Sequence, residues 1–297
     1  MTTTYDLCLA WNWEYDEGFV RLLDAAFVAS GRTLLQITPN SLDDNLAKLA
    51  SGAISFRAYL DRASEADPRF LPLVDWVRAN RVLSINDYDQ ARRTWNKAEM
   101  HEVLFANVRT PYTIVLPSFQ ERPTLEALDL SPLEGSFSIK PAHGGGGDGV
   151  IVKAHSIEEV AAARRQYPDD KYLLQTQVAP ILAGQRPAWF RVLFCVDEIY
   201  PCWWDMQTHV YTQVTAAEES HYQLLPMRNI METIAGVCRL GLFSTEIAYS
   251  CASGLIVVDY ANDPIDLRLQ SQTPEGVPDD IARFIAESLV RFVGRSG

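Results

Sequence analysis

A chain of 297 residues with 47% hydrophobic and 22% charged residues has the make-up of an ordinary globular protein, long enough for two or three sub-domains. Its formal net charge of −12 argues against a nucleic-acid partner, which needs clustered Lys and Arg to meet the phosphate backbone. No apolar run approaches the roughly 20 residues that span a bilayer, the start Met1–Asp6 lacks the basic-then-apolar order of a signal peptide, and five cysteines (Cys8, Cys195, Cys202, Cys238, Cys251) without a CxxC pair read as reduced cysteines of a cytosolic protein.

In chain order, residues 5–11 read as a buried strand. Residues 16–30 read as a helix, with Phe19, Val20, Leu22, Leu23, Ala26 and Phe27 at helical spacing and Gly31 as the stop. A strand over 33–38 follows, then a helix capped by Ser41, a strand over 54–60, a helix around 70–79 and a strand over 82–85. This alternation predicts a parallel sheet covered on both faces, with ligands beyond the carboxyl ends of its strands. Trp11, Asn12, Trp13 and Glu14 stand at one such end, either as a substrate-contacting loop or as aromatic closure of the sheet.

A helix over 87–105 opens a second part, and Val108–Thr113 turns into a strand. Residues 117–135, with three prolines, read as a connector. The stretch 136–152 then reads strand, loop, strand, with five glycines in the six positions 144–149. Such a loop has no side chains to block a ligand, and its N–H groups are free to face an anion. Lys140 brings a positive charge to the same place, so the segment is a phosphate cradle and predicts a bound nucleotide. Gly144, Gly146 and Gly149 match GxGxxG, but that fingerprint needs a following helix, and here a strand follows. A P-loop would need Gly-Lys-Ser/Thr, and a kinase glycine loop would come with His-Arg-Asp and Asp-Phe-Gly triplets, which this chain lacks.

A helix over 157–165 and a strand over 172–178 complete the second part. The third part reads as a hairpin of 189–196 and 199–205, a helix over 228–240, strands over 243–249 and 255–260, a polar run from Asp259 to Arg268, and a final helix over 279–293. The two late strands bring Glu246 beside Asp259 and Asn262. Oxygen ligands of this kind suit Mg²⁺, which bridges carboxylates and substrate phosphates. Lys97 on a helix, Lys140 before the loop and this acidic pair make up the parts of an ATP phosphoryl-transfer site.

Over about residues 90–270 this order resembles the ATP-grasp superfamily, that of glutathione synthetase and D-alanine–D-alanine ligase. The resemblance rests on Asn96-Lys97 with the Pro111-Tyr112-Thr113 strand after it, on Ile139-Lys140-Pro141 with the glycine flap, on residues 173–178 as a hinge strand beneath adenine, and on Phe190-Arg191-Val192. It implies an α/β and α+β chain: a Rossmann-like parallel α/β domain over 1–93, then two α+β subdomains clasping ATP, the lid over 94–178 and the magnesium-carrying part over 179–297. It implies ATP contacts from Lys97, Lys140, His143, Gly144, Gly145, Gly146, Gly147, Gly149, Gln175, Gln177 and Val178, catalytic roles for Arg191 and Lys140, and Mg²⁺ held by Glu246, Asp259 and Asn262. The chain departs from the family in Thr176-Gln177 where a Glu is usual, in Trp189 where an acid is frequent, and in the two residues between Asp259 and Asn262, which leave Asp263 as an alternative ligand.

The implied activity is an ATP- and Mg²⁺-dependent carboxylate–amine or carboxylate–thiol ligase, ADP-forming, acting on amino-acid or peptide-like substrates in the cytoplasm as a homodimer or tetramer. A kinase of the same fold is the first rival, ranked lower because few Lys or Arg remain for an acidic substrate. A catalytically silent nucleotide-binding module is the second. Candidate specificity segments are 11–16, 203–205 and 263–268.

Overall fold

The computed structural model describes residues 2–125 and 128–295. Met1, Glu126 and Ala127 of the expected connector, and the last two residues of the third part lie outside the described residues. The chain begins with β1 (Thr3–Trp11), α1 (Glu17–Ala29), β2 (Leu34–Ile37), α2 (Leu42–Ala50), β3 (Ile54–Arg62), α3 (Leu71–Ala79) and β4 (Leu83–Ile85). The four strands run parallel in the order β2-β1-β3-β4. Side chains of a strand alternate between faces, and β1 shows the consequence. Leu7 and Leu9 enter one core with Phe19, Leu23 and Phe27 of α1, while Cys8 and Ala10 enter another with α2 and α3. Both faces are therefore covered, as an all-parallel sheet requires. Ser41 stands at the start of α2, but its hydroxyl accepts from Thr38 N at 3.0 Å instead of from the helix.

The single helix expected over 87–105 is two: α4 (Tyr88–Thr94) and α5 (Lys97–Leu104). Asn96 breaks it. Its backbone is extended (φ −103°, ψ 99°) and its side chain accepts from the N–H groups of Ala98 and Glu99, capping a new helix. Lys97 thus stands at the first turn of α5, not in mid-helix.

The strands β5 (Thr113–Leu116), β6 (Phe137–Pro141), β7 (Ile151–Ala154) and β8 (Tyr172–Thr176) form an antiparallel sheet in the order β5-β8-β6-β7, with α6 (Ile157–Gln166) on one face. Phe137, Ile139, Tyr172 and Leu174 bury against Val160 and Ala163 of α6. By alternation, Ser138, Lys140 and Gln175 belong to the opposite face.

The last part contains β9 (Leu182–Ala183), β10 (Arg186–Pro187), β11 (Trp189–Cys195), β12 (Glu198–Trp204), β13 (Tyr211–Gln213), α7 (Ala216–His221), α8 (Pro226–Cys238), β14 (Leu242–Ser250), β15 (Gly254–Asn262) and α9 (Asp279–Arg295). Its large sheet has the order β13-β12-β11-β14-β15, all antiparallel. Phe190, Val192 and Phe194 of β11 pack towards α8 and α5, together with Met100 and Leu104. Leu193 and Cys195 of the other face enter the core that also holds Leu7, Leu9, α1 and α9. The C-terminal helix therefore packs between the parallel sheet and the antiparallel one. Among the described residues no helix is long and apolar enough to cross a membrane.

Candidate active site

Strand register builds the centre of the site. On β11, β14 and β15, Arg191 lies directly opposite Glu246, and Glu246 directly opposite Asp259. Directly opposed residues share a face, so three charged side chains form a row across three adjacent strands. Arg191 Nη1 donates to Glu246 Oε1 at 2.7 Å, and Trp189 Nε1 donates to Glu246 Oε2 at 3.3 Å. The Arg191 guanidinium also lies over the Trp204 ring, 5.3 Å from its centroid. Asn262 lies beside Asp259 and hydrogen-bonds it. Asp263 lies elsewhere, in a small pocket with Asp61, Arg62, Glu65, Asn86 and Trp95. The structure thus brings Asn262, and not Asp263, to the acidic pair.

Facing this row are the two lysines. Lys140 Nζ donates to Gln175 Oε1 at 2.8 Å and to the Val258 carbonyl at 3.4 Å. Lys97 Nζ donates to the Gly144 carbonyl. Burial lowers the pKa of Lys140, and nearby Lys97 adds to this, while Asp259 and Glu246 oppose it. For Asp259, burial acts to raise the pKa, but Lys140, Lys97 and Arg191 outweigh it and hold the carboxyl below its usual range. For Arg191, burial works against the charge, and Glu246, helped by Tyr211, Asp259 and Asp266, more than restores it. Three cations around the two carboxylates of the row leave a positive balance in a protein of net charge −12, since Asp266, which also acts on Arg191, is paired with Arg268. A polyanion such as a nucleoside triphosphate is the ligand that balance fits.

The flap loop has the geometry its glycines permit. Gly144, Gly146, Gly147 and Gly149 have φ of +105°, +62°, +81° and +67°, a left-handed region that favours glycine. At Gly149 space is also limiting, because a Cβ there would stand 2.6 Å from the Tyr167 ring. Tyr167 OH donates to Asp148 Oδ2 at 2.7 Å, pinning the loop's far side. His143 anchors its near side: its backbone N–H donates to Asp170 Oδ2 and its ring Nδ1 meets Asp170 Oδ1, both at 2.8 Å.

At the hinge, β8 ends at Thr176, short of the expected 178. Gln177 Nε2 donates to Ser138 Oγ at 2.8 Å, and Val178 packs with Trp189, Ala248, Ile256 and Val258. Gln175 is 2% exposed, its side chain turned to Lys140. Among the candidate specificity residues, Asp16 and Trp203 are not available to a substrate. Asp16 is buried in a two-bond ion pair with Arg62 (2.6 and 2.8 Å), and Trp203 is buried beneath Arg186. Trp204, stacked on His209 at 5.4 Å, and Trp13, beneath Arg268 at 5.5 Å, remain partly exposed. Sequence reasoning missed Trp189 as a partner of Glu246. The signal was present, since Trp189 and Arg191 are two apart on one strand and share a face.

No protein-family model matches the sequence, and no curated protein matches it. Solved structures do match. A RimK domain protein ATP-grasp from Sphaerobacter thermophilus is similar at 20% identity over 95% of this chain and 98% of that one, with a TM-score of 0.61. D-alanine–D-alanine ligase from Bacillus anthracis complexed with ATP is similar at 10% identity over 99% and 97%, with a TM-score of 0.63. The ATP-grasp ligase PsnB complexed with minimal precursor, Mg and ADP is similar at 11% identity over 98% and 99%, with a TM-score of 0.63. The chain has the ATP-grasp fold, a mixed α/β architecture that combines, among the described residues, a four-stranded parallel sheet with antiparallel sheets of four, five and two strands.

Proposed function

We propose that this ATP-grasp chain is an ATP- and Mg²⁺-dependent ligase that joins a carboxylate to an amine through an acyl phosphate. The observation that carries the reading is the row Arg191–Glu246–Asp259 facing Lys97 and Lys140. Fold alone does not specify chemistry; these side chains supply it. Glu246, Asp259 and Asn262 offer hard oxygen donors. Two carboxylates and an amide suit Mg²⁺ bound together with phosphate and water, and such an ion would neutralise charge on the transferring phosphoryl group.

A carboxylate is a poor electrophile because its leaving group would be oxide. Its oxygen attacks the γ-phosphorus, the bond to the bridging oxygen breaks, and ADP leaves with that electron pair. The amine nitrogen then attacks the acyl carbon, phosphate leaves with the C–O pair, and the amine's proton passes to solvent. Lys97 and Lys140 hold phosphates, while Arg191 stabilises the acyl phosphate and the oxyanion that follows. Flap closure excludes water from an intermediate that would otherwise hydrolyse. The aromatic residues Trp13 and Trp204 at strand ends suit an amino-acid or peptide-like substrate, and two of the structural neighbours are a D-alanine–D-alanine ligase and a ligase solved with a precursor.

The test is release of ADP and phosphate from Mg-ATP against a panel of amino acids and peptides, using wild type, Lys140→Ala and Asp259→Ala. The expected result is ADP formation that requires one carboxylate and one amine and is lost in both variants with the fold intact. ADP formation driven by a hydroxyl compound alone would make the chain a kinase, and ATP binding without turnover under any addition would make it a silent module.

A further inference from the structure

We infer that Gln175, Tyr260 and His101 form a chain of positioning residues that aims Lys140 at the nucleotide phosphates. This rests on the reading of Lys140 given above. Gln175 is engaged at both ends of its amide. Its oxygen accepts from Lys140 Nζ at 2.8 Å; its nitrogen donates to Thr113 Oγ1 at 3.2 Å and to Tyr260 OH at 3.5 Å. The Tyr260 hydroxyl in turn meets His101 Nδ1 at 2.6 Å. Gln175 and Tyr260 are each 2% exposed. The chain crosses three pieces of structure: β6 and β8 of the flap sheet, β15 of the large sheet, and α5. His101 stands four residues after Lys97, one helical turn along the same face of α5, so the chain starts on the helix of one phosphate lysine and ends on the other.

Donor and acceptor chemistry gives the chain one direction. A lysine ammonium only donates, so the oxygen of the Gln175 amide must face Lys140 and its nitrogen must face Thr113 and Tyr260. A tyrosine hydroxyl that accepts from Gln175 keeps its own hydrogen for another acceptor; Thr113, which gives its hydrogen to the Pro111 carbonyl, also lies within hydrogen-bond reach, and the 2.6 Å contact assigns the hydrogen to His101 Nδ1. That assignment needs a neutral imidazole protonated on Nε2. Burial lowers the His101 pKa and favours that form, against a smaller opposing pull from Glu102; the stacked Phe105 adds no charge.

The choice of an amide has a functional consequence. Lys140 lies within the field of Asp259 and Glu246, and an unrestrained ammonium would swing to them. A glutamate at 175 would hold the lysine but cancel its charge. The amide oxygen holds it and leaves the charge for phosphate. Gln175 therefore contributes to nucleotide binding through the lysine.

The test is the affinity of Mg-AMP-PNP by calorimetry for wild type, Gln175→Met, Tyr260→Phe, Lys140→Ala, and the two double variants carrying Lys140→Ala. Both single substitutions conserve shape. The expected result is about tenfold weaker binding in Gln175→Met and about threefold in Tyr260→Phe, from loss of hydrogen bonds to or supporting a charged group. Neither should weaken binding further once Lys140 is gone, because a residue acting through the lysine has nothing left to act on. Losses that persist in full in the Lys140→Ala background would show a merely structural role and overturn the inference. Wild-type affinity in both Gln175→Met and Tyr260→Phe beside weakened Lys140→Ala would overturn the chain alone. Wild-type affinity in Lys140→Ala would overturn the parent reading, and this one with it. If Gln175→Met does not fold, Tyr260→Phe carries the same comparison.

Discussion

Replacing Asp16 with Ala tests the joint between the parallel sheet and the rest of the molecule. Asp16 accepts from Arg62 Nε at 2.8 Å and Nη2 at 2.6 Å, and the two side chains are 2% and 3% exposed. Arg62 Nη2 also donates to the Ile265 carbonyl at 2.8 Å, tying the end of β3 to the segment after β15, and its guanidinium lies 5.7 Å from the centre of the Phe19 ring. Without Asp16, a guanidinium whose Nη1 has no hydrogen-bond partner among the described residues would be left buried with one carbonyl acceptor. Breaking a buried pair by removing one partner costs about 3–5 kcal/mol, because the charge left behind loses its counter-charge and hydrogen bonds; the acids that share a pocket with Arg62, Asp263 among them, hold the loss to the lower end of that range. For a chain of this size that corresponds to a fall in melting temperature of about 10 °C. The assay is thermal and urea unfolding of wild type, Asp16→Ala and the double variant Asp16→Leu/Arg62→Met, which removes both charges and should recover most of the loss. Glu17→Ala is the control: its pair with Arg21 is 58% and 73% exposed, so the change should stay within about 0.5 kcal/mol. A loss below about 1 kcal/mol in Asp16→Ala, or a double variant no better than the single, would refute the reasoning.

Three further outcomes are expected. Gly149→Ala places a side chain at φ +67° and 2.6 Å from Tyr167, which costs about 1–2 kcal/mol in backbone strain alone and should slow ADP release; Gly145→Ala, at a φ outside the left-handed region and in open space, should stay within about 0.5 kcal/mol and retain activity, and equal effects at the two positions would count against the flap geometry. Asn96→Ala removes the cap that starts α5, with a loss of about 1 kcal/mol by urea unfolding and weaker nucleotide binding as Lys97 loses its platform. The third concerns pH. Burial holds His101 below its ordinary pKa of 6.5, so the unfolded chain takes up a proton before the folded one does. Its contribution is therefore complete above about pH 6.5 and is lost as pH falls from there through the lower folded value. Unfolding measured between pH 7.5 and pH 5.5 should show a shallower decline in His101→Gln than in wild type, and parallel declines would contradict the assignment.

Much of the site was legible because its parts are local. A run of glycines marks a loop with backbone freedom, and the structure uses it at 144, 146, 147 and 149, where φ is left-handed. Two strands joined by the short turn at Ser253-Gly254 can only pair antiparallel, so the strand of Glu246 lies beside that of Asp259; a register shift after Ile247–Val257 then brings Asp259, and not Val258, opposite Glu246. The alternation over 5–85 dictates a parallel sheet, because each helix carries the chain back to the end of the sheet at which the preceding strand began. The break between α4 and α5 was readable too: Asn96 with Glu99 three residues on is a helix-start pattern, masked by the helical periodicity on either side.

Other features depend on residues far apart in the chain. Asp16 and Arg62 are 46 positions apart, and nothing in either local sequence marks them as partners. The glutamine at 175 could equally have faced adenine; its contact with Lys140 follows from the register of β6 against β8, and its contact with Tyr260 from the way the two antiparallel sheets face each other. The same holds for Asn262 over Asp263, adjacent residues that a shift in the β14–β15 register and the turn after it send to different pockets. Residue pattern by itself determined most of the strands and helices, where the glycine loop turns left-handed and which late strands form a hairpin, because those follow from backbone sterics and nearest-neighbour connectivity. Only the tertiary structure decided which side chain holds Lys140, which acids are withdrawn from substrate, and how α9 joins the first sheet to the last, because those depend on close packing and on burial of charge, and the strength of both is set by neighbours that the chain order does not place together.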